Sequence, residues 1–426
     1  MSDPTVITMG CRLNAHESDV ASAHARAAGL RDLVVVNTCA VTSEAVRQAA
    51  QMVRRVRRER PEARIMVTGC AAELEPARFA AIAGVDAVIG SAEKLDRETY
   101  VALARANDQL VRTGGVSSKP AAARPAPGPA PRTRAILAVQ NGCDHRCTFC
   151  IIPFARGPSR SMPLHEAVES VRSFVAAGHR EVVLTGVDLT SYGTEAGATP
   201  ALGRLVRAIL RDVPDLARLR LSSIDPAEVD LELIDCFAGE ARLMPHLHLS
   251  LQSGDDMILK RMKRRHSRDD AIRFTERLRS VRSDIVFGAD LIAGFPTETE
   301  ESFENTRQAI DACGLTYLHI FPYSPRPGTP AVRMPQLPRE IVMARAARLR
   351  EEAGARLNAF LSSEVGQVRE VLVERGGTGR TRRYAEVVLQ GQPEAGTILD
   401  VKIIGHDGAR LIGGPAGIGS GVRSAV

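Results

Sequence analysis

Gly142-Cys-Asp-His-Arg-Cys-Thr-Phe-Cys-Ile151 places three cysteines, Cys143, Cys147 and Cys150, in one short loop. Three thiolates at this spacing can hold three irons of a cubane [4Fe-4S] cluster, leaving the fourth iron without a protein ligand. An open iron can bind and reduce a second molecule, whereas a fully ligated cluster passes electrons or braces a fold. Structural zinc normally takes four protein ligands, and His145 is the nearby residue that could complete such a set. A ferredoxin-type site recruits a further Cys close by, but the nearest are Cys70 and Cys236. Disulfides fit neither the lack of an export signal nor the spacing of the cysteines. The open cluster is the reading carried forward.

The loop follows a strand-like run, Ala135–Gln140, and strand and helix then alternate about six times as far as residue 335. Further strands are expected at Glu181–Thr185, Arg218–Ser222, His246–Gln252, Ile285–Ile292 and Thr316–Phe321, with helices such as Leu164–Ala176 and Asp269–Val281 between them. Repeated βα units favour a parallel sheet that curls into a partial (β/α)6 barrel. Such folds carry their chemistry at the carboxyl ends of the strands, where the cysteine loop lies.

The fold class is therefore α/β, in three domains. Residues 1–112 read as a parallel α/β unit with strands at Thr5–Met9, Leu33–Asn37, Arg64–Thr68 and Ala87–Gly90. Residues 113–134 carry five prolines and no apolar period, which makes them a linker. Residues 135–362 hold the partial barrel and a trailing amphipathic helix over 337–361. Residues 363–426 read as a small antiparallel β-barrel with strands at Glu370–Glu374, Tyr384–Leu389 and Ile398–Ile404.

A second cysteine trio has one shared context. Ile7-Thr-Met-Gly-Cys11, Val36-Asn-Thr-Cys39 and Val67-Thr-Gly-Cys70 each end a predicted strand of the first domain. Parallel strands of one sheet end on the same side, so the three thiols converge beside helix N-termini, which favour anions. A lone Cys at a strand end is commonly a small core residue. Three in equivalent places, two beside glycines, point to a ligand set for a second cluster, again one ligand short. Cys236 and Cys313 lack such partners and read as packing residues.

At 426 residues, 44% hydrophobic and 25% charged, the composition is that of a soluble globular protein. No apolar run reaches the roughly 18 residues of a membrane span, and the N-terminus lacks the regions of an export signal. A reducing cytoplasm is expected, with thiolates available to metal. Net charge is +6, yet Arg47–Arg64 holds seven Arg against two Glu, and Lys260–Arg282 holds ten Lys or Arg against three acids. Such patches suit a polyanion such as RNA, although solvated helix faces look the same. Without Trp, and with 4% aromatics, broad base-stacking platforms are not expected. Arg380-Thr-Arg-Arg-Tyr384 joins guanidiniums to one aromatic and reads as a local RNA contact.

Thr8-Met-Gly-Cys-Arg-Leu-Asn14, Asn37-Thr-Cys39 and Gly69-Cys70 resemble the N-terminal domain of the radical S-adenosylmethionine (SAM) methylthiotransferases. Cys143–Ser161, Leu247–Gly254 and Gly288–Pro296 resemble their radical domain, and Gly379–Tyr384 their C-terminal TRAM domain. The resemblance implies two [4Fe-4S] clusters, one on Cys143, Cys147 and Cys150 that binds SAM and one auxiliary on Cys11, Cys39 and Cys70. It implies tRNA as partner, and an electron donor of flavodoxin or ferredoxin type. The stretches after Cys11 and Cys150 look most like the branch that adds a methylthio group to C2 of N6-threonylcarbamoyladenosine at nucleotide 37 of tRNA. Sibling enzymes act on isopentenyladenosine in tRNA or on a ribosomal-protein aspartate; a metal-containing RNA-binding protein is the non-enzyme alternative. Where radical SAM enzymes usually carry Gly-Gly-Glu, this chain has Leu184-Thr-Gly-Val-Asp188, so Asp188 or the backbone near Gly186 becomes the candidate contact for the SAM ammonium. Arg156 is the candidate for SAM carboxylate or tRNA phosphate, and Asp290 is expected inside the barrel, where it needs a partner.

Overall fold

β1 (Thr5–Thr8), β2 (Leu33–Thr38), β3 (Arg64–Gly69), β4 (Ala87–Ile89) and β5 (Leu110–Arg112) form a parallel sheet in sequential order. They belong to a computed structural model that describes residues 3–114, 116 and 133–414. Val34 and Val36 pack toward Val46, Ala49 and Val53 of helix Ser43–Glu59, while Val35 packs with Ala21 and Ala25 of helix Arg12–Ala27. A strand covered on both faces reads as an unbroken apolar run, as Leu33-Val-Val-Val36 does. β5 has no counterpart in the sequence reading, because two of its three residues are exposed and leave no apolar pattern. Residues 115 and 117–132 of the expected linker lie outside the described residues.

β6 (Arg134–Ala138) opens the barrel, and β7 (Gln140–Asn141) pairs with β8 (Arg160–Ser161) around the cysteine loop. β9 (Glu181–Thr185) and β10 (Arg218–Leu221) join β6 in one parallel sheet. β11 (Ser223–Ile224), β12 (His246–Gln252), β13 (Val286–Ala293) and β14 (Leu315–Pro322) form a second. Only Ser222 separates β10 from β11, so the six expected strands are present, the third broken at one residue. Leu137, Val182, Leu184, Leu219, Leu247, Leu249, Phe287 and Leu291 pack outward with the helices in a single core. Strand alternation then turns Ile136, Glu181, Val183, Arg218, Arg220, His246, His248, Asp290, Tyr317 and His319 inward.

That interior is charged. Glu181 lies 2.9 Å from Arg220, 3.7 Å from Arg218 and 4.0 Å from Arg134. Burial alone would raise its carboxyl, but these guanidiniums hold it at about 2. Glu17 in the first domain is held at about 2 against its own burial by Arg156 and Lys94. Both folded values lie below the unfolded carboxyl range, so the stabilisation is complete above about pH 4.5 and is lost as pH falls toward 2. Urea midpoints measured at fixed ionic strength are expected to fall steeply between pH 5 and pH 2, and less steeply in Glu181→Gln. Asp290 has the partners it needs: its Oδ1 takes hydrogen bonds from His248 at 2.8 Å and His319 at 3.1 Å.

Helix Arg339–Glu364 leads to β15 (Val368–Glu374), β16 (Thr378–Thr381), β17 (Glu386–Val388), β18 (Ile398–His406) and β19 (Leu411–Gly413). These close into a barrel in the order β15-β16-β17-β19-β18, antiparallel except where β17 meets β19. β16 and β19 escape the sequence reading because they are only four and three residues long and each contains a glycine. Arg380–Tyr384 is a correction in kind. Arg380 pairs with Glu386 at 2.8 Å, Arg383 with Glu364 at 2.5 Å, and Arg382 donates to Ala241 O. Tyr384 stacks on His246 with ring centroids 4.5 Å apart, and Tyr317 Oη donates to Arg383 O at 3.1 Å. The run therefore docks the small barrel under the larger one. Among the described residues no helix is long and apolar enough to cross a membrane.

Candidate active site

The Cys143 loop is pinned at both ends and in its middle. Cys143 N donates to Gly157 O at 3.1 Å, Thr148 Oγ1 to Arg261 O at 2.8 Å, and Ala331 N to Thr148 O at 2.9 Å. Phe149 packs edge-on against Phe295 at 6.4 Å, within an apolar cluster that includes Ile292 and Met262. The neighbouring thiols act on Cys143 and Cys150. Burial pushes Cys150 up to about 12 with Cys147 adding to the rise, and burial and then Asp188 push Cys143 well up, with Cys150 and Cys147 contributing. Loading a cluster therefore displaces protons from these sulfurs.

The donor set fits an anionic cluster. Arg264, fixed by Asp225 at 2.8 Å and Ser250 O at 2.7 Å, places Nη1 3.6 Å from Cys147 Sγ. Asp188 Oδ2 lies 3.8 Å from Cys143 Sγ, and its backbone N donates to Gln140 Oε1 at 2.9 Å. Gly186 stands against the same Gln140, where a Cβ would meet Oε1 at 2.8 Å. Cys143, His145 and Asp188 bring ligand atoms within 4.8 Å of one another. His145 is nonetheless tied to Asp188 at 2.6 Å, and a single ion on that trio would leave Cys147 and Cys150 outside its ligand set. Beside the loop opens a cavity of about 300 Å³ walled by His145, Arg146, Cys147, Lys263 and Arg265.

The second trio is built by sheet topology. Cys11 caps helix Arg12–Ala27, Cys39 follows β2, and Cys70 starts helix Cys70–Leu74 directly after β3. Burial pushes the Cys39 thiol up to about 11, and both Cys70 and Cys11 add to the rise. Two glycines make the approach possible. A Cβ at Gly10 (φ +90) would meet Cys39 Sγ at 2.8 Å, and one at Gly69 (φ +97) would meet Thr38 O at 2.4 Å. Cys11 is exposed, while Cys39 and Cys70 are buried.

Arg156 joins the trios. It follows the first loop, in helix Ile152–Arg156, and is 2% exposed. Its Nε donates to Cys70 Sγ at 3.2 Å. Nη1 donates to Glu17 at 2.7 Å and Asn141 at 3.2 Å, and Nη2 to Asn14 at 2.7 Å and Glu17 at 3.1 Å. All five donors are thus spent on protein groups, which differs from the expected contact to SAM carboxylate or tRNA phosphate. The reason is Glu17, an acid supplied by the other domain and held also by Lys94 at 2.5 Å. Glu17 and Lys94 were not singled out in the sequence, since nothing local marks two side chains whose pairing depends on the domain interface. Cys70 raises the Cys150 thiol, and Cys70, Ala71, Ile151 and Ala155 share one apolar cluster, so the two cysteine sets face each other across a packed interface.

The chain is similar to known proteins along nearly its whole length. The Radical SAM superfamily model matches residues 137–310, and the model of Uncharacterized protein family UPF0004 matches residues 4–90. The chain is 45% identical over 401 residues to a threonylcarbamoyladenosine tRNA methylthiotransferase of Rickettsia prowazekii, covering 94% of each chain. It is 33% identical to the like-named enzyme of Bacillus subtilis, covering 93% of this chain and 92% of that one. It is also 32% identical to a tRNA-2-methylthio-N(6)-dimethylallyladenosine synthase of Erythrobacter litoralis, covering 94% of each. In fold it is similar to the radical SAM methyltransferase TsrM of Kitasatospora setae, with a TM-score of 0.54 and 18% identity, covering 78% of this chain and 74% of that one. With both its cysteine-bearing domains matched and its relatives spanning nearly the full length, the chain belongs to the radical SAM methylthiotransferase family.

Proposed function

We propose that the protein converts the C2–H of N6-threonylcarbamoyladenosine at nucleotide 37 of tRNA into C2–S–CH3. The observation that carries this reading is the meeting of two three-cysteine sets at one interface, with Arg156 between them. An adenine C2–H is too weakly acidic for a side-chain base, so general acid–base catalysis has little to offer. SAM and the iron–sulfur centres, when bound, would supply the one-electron chemistry, the sulfur and, from a further SAM, the methyl group, which is how a cofactor divides work with a protein.

The residues bind and orient. Cys143, Cys147 and Cys150 would hold the SAM-binding [4Fe-4S] cluster, and Cys11, Cys39 and Cys70 a second one. Asp188, an ionised carboxylate beside Cys143, suits the SAM ammonium: burial would raise it, but His145 and Ser191 hold it below the usual range. Arg146 and Lys263, in the cavity wall beside Cys147, suit the SAM carboxylate. Arg264 and Arg156 donate toward sulfur of Cys147 and Cys70, which orients each ligand. Exposed Arg54 and Arg58, on helix Ser43–Glu59, suit the tRNA backbone. An electron donor of flavodoxin or ferredoxin type completes the set of partners.

Nucleoside mass spectrometry of tRNA from a strain lacking this protein tests the reading. Loss of 2-methylthio-N6-threonylcarbamoyladenosine, with its unmethylthiolated precursor accumulating, is the expected result. Loss of the methylthio mark from isopentenyladenosine instead would overturn it.

A further inference from the structure

Four guanidiniums surround the ring of Tyr384: Arg12, Arg134, Arg220 and Arg380, at 5.3, 5.8, 5.1 and 4.7 Å from its centroid. Three of them have carboxylates. Arg134 pairs with Glu374 at 2.6 Å, Arg220 with Glu181 at 2.9 Å, and Arg380 with Glu386 at 2.8 Å. Arg12 makes no ion pair among the described residues. Among the described residues, its side-chain hydrogen bond runs from Nη2 to Tyr384 Oη at 2.6 Å, and Nε and Nη1 make none. A cation grouped with other cations and lacking an anion favours capture of one.

Arg12 also lines a cavity of about 320 Å³ where the three domains meet. Arg134, Ile136 and Val183 wall it from the large barrel, and Glu374 and Arg375 from the small one. The positive field at this point is visible on Tyr384. Burial would raise its phenol, yet Arg12, Arg134 and Arg380 hold it at about 8. Because Tyr384 Oη accepts from Arg12, its own hydrogen remains to donate to a second oxygen.

We propose that this cavity is the subsite for the carboxylate on the N6 substituent of the substrate base, with Arg12 as the specificity-determining clamp and Tyr384 beside it. The inference rests on the substrate reading above. The threonylcarbamoyl arm carries a carboxylate where an isopentenyl arm carries only methyl groups. A carboxylate leaving water needs a paired cation, and the guanidinium fork matches it with two parallel hydrogen bonds. C2 and C6 flank N1, so the reacting carbon and the N6 arm share one edge of the base. In the protein Arg12 directly follows Cys11, so the clamp and a ligand of the auxiliary set are neighbours in the same way. Ile136 and Val183 offer the arm an apolar wall.

The test measures binding of anticodon stem-loops to the reconstituted holoenzyme by fluorescence anisotropy. Three stem-loops are compared: threonylcarbamoylated at A37, the same with its threonyl carboxylate methyl-esterified, and unmodified. Wild type should bind the first most tightly and lose about 10- to 100-fold on esterification, the range for a charged hydrogen-bonded pair losing one partner. Arg12→Gln should lose the same factor on the acid and nothing further on the ester, and Arg12→Lys should recover part of it. Equal weakening of all three stem-loops in Arg12→Gln would show a phosphate contact and overturn the proposal, as would an Arg12→Gln that still separates acid from ester. Should Arg12→Gln lose iron, Tyr384→Phe serves instead, with a smaller loss confined to the acid expected and no acid-specific loss overturning the proposal. A wild type that binds acid and unmodified stem-loops alike and methylthiolates neither would instead refute the substrate reading itself.

Discussion

Cys143→Ala is expected to abolish reductive cleavage of SAM and to lower bound iron from about eight to about four per chain. Cys39→Ala is expected to lower the iron equally, yet to go on cleaving SAM while forming no methylthio product. The contrast follows from where the two thiols stand. Cys143 lies beside Asp188, in the loop that closes the carboxyl end of the large barrel. Cys39 follows a strand of the other domain, packed under Gly10 and coupled to Cys11 and Cys70. Iron and sulfide analysis, 5′-deoxyadenosine yield and product mass spectrometry on anaerobically reconstituted protein measure the three quantities together. SAM cleavage surviving in Cys143→Ala would show that this loop does not hold SAM. Product surviving in Cys39→Ala would remove the first domain from sulfur delivery.

Glu17→Gln is expected to destabilise the chain by about 3–5 kcal/mol, the cost of leaving buried cations without their anion. Arg156 is 2% exposed and Lys94 is 0% exposed, so neither cation can turn to water when the carboxylate goes. The change also frees Arg156, whose Nε holds Cys70 Sγ at 3.2 Å, so iron at the auxiliary trio should fall with stability. Arg156→Lys should show a milder form of both effects, since one ammonium cannot reproduce five donors in a fixed fork. Urea midpoints of the apo chain and iron content of the reconstituted chain separate the two consequences. An unchanged midpoint in Glu17→Gln would mean that the interface holds without its buried ion pair.

The parts legible in the sequence share a cause. Periodic strands and helices, and cysteines at fixed places on them, are local patterns that topology multiplies. Cys11, Cys39 and Cys70 each end a strand, and parallel strands end together, so their convergence could be read before any coordinates. The elements that escaped were too short to show a period: β5, with two of its three residues exposed, and β16 and β19, four and three residues long and each containing a glycine. Arg380–Tyr384 misled because guanidiniums beside an aromatic look alike whether they meet a phosphate or a buried glutamate.

By itself, the order of residues determined the βα alternation, the two cysteine trios at strand ends and in one loop, and the family resemblance, because each depends on contacts within a few residues or on a repeated element. The packing of domains alone decided what Arg156, Glu17, Arg12 and Tyr384 do. Their partners lie 139 positions apart for Arg156 and Glu17, and 372 apart for Arg12 and Tyr384. A charge buried between domains answers to whichever opposite or like charge the fold brings against it, and no spacing along the chain encodes that.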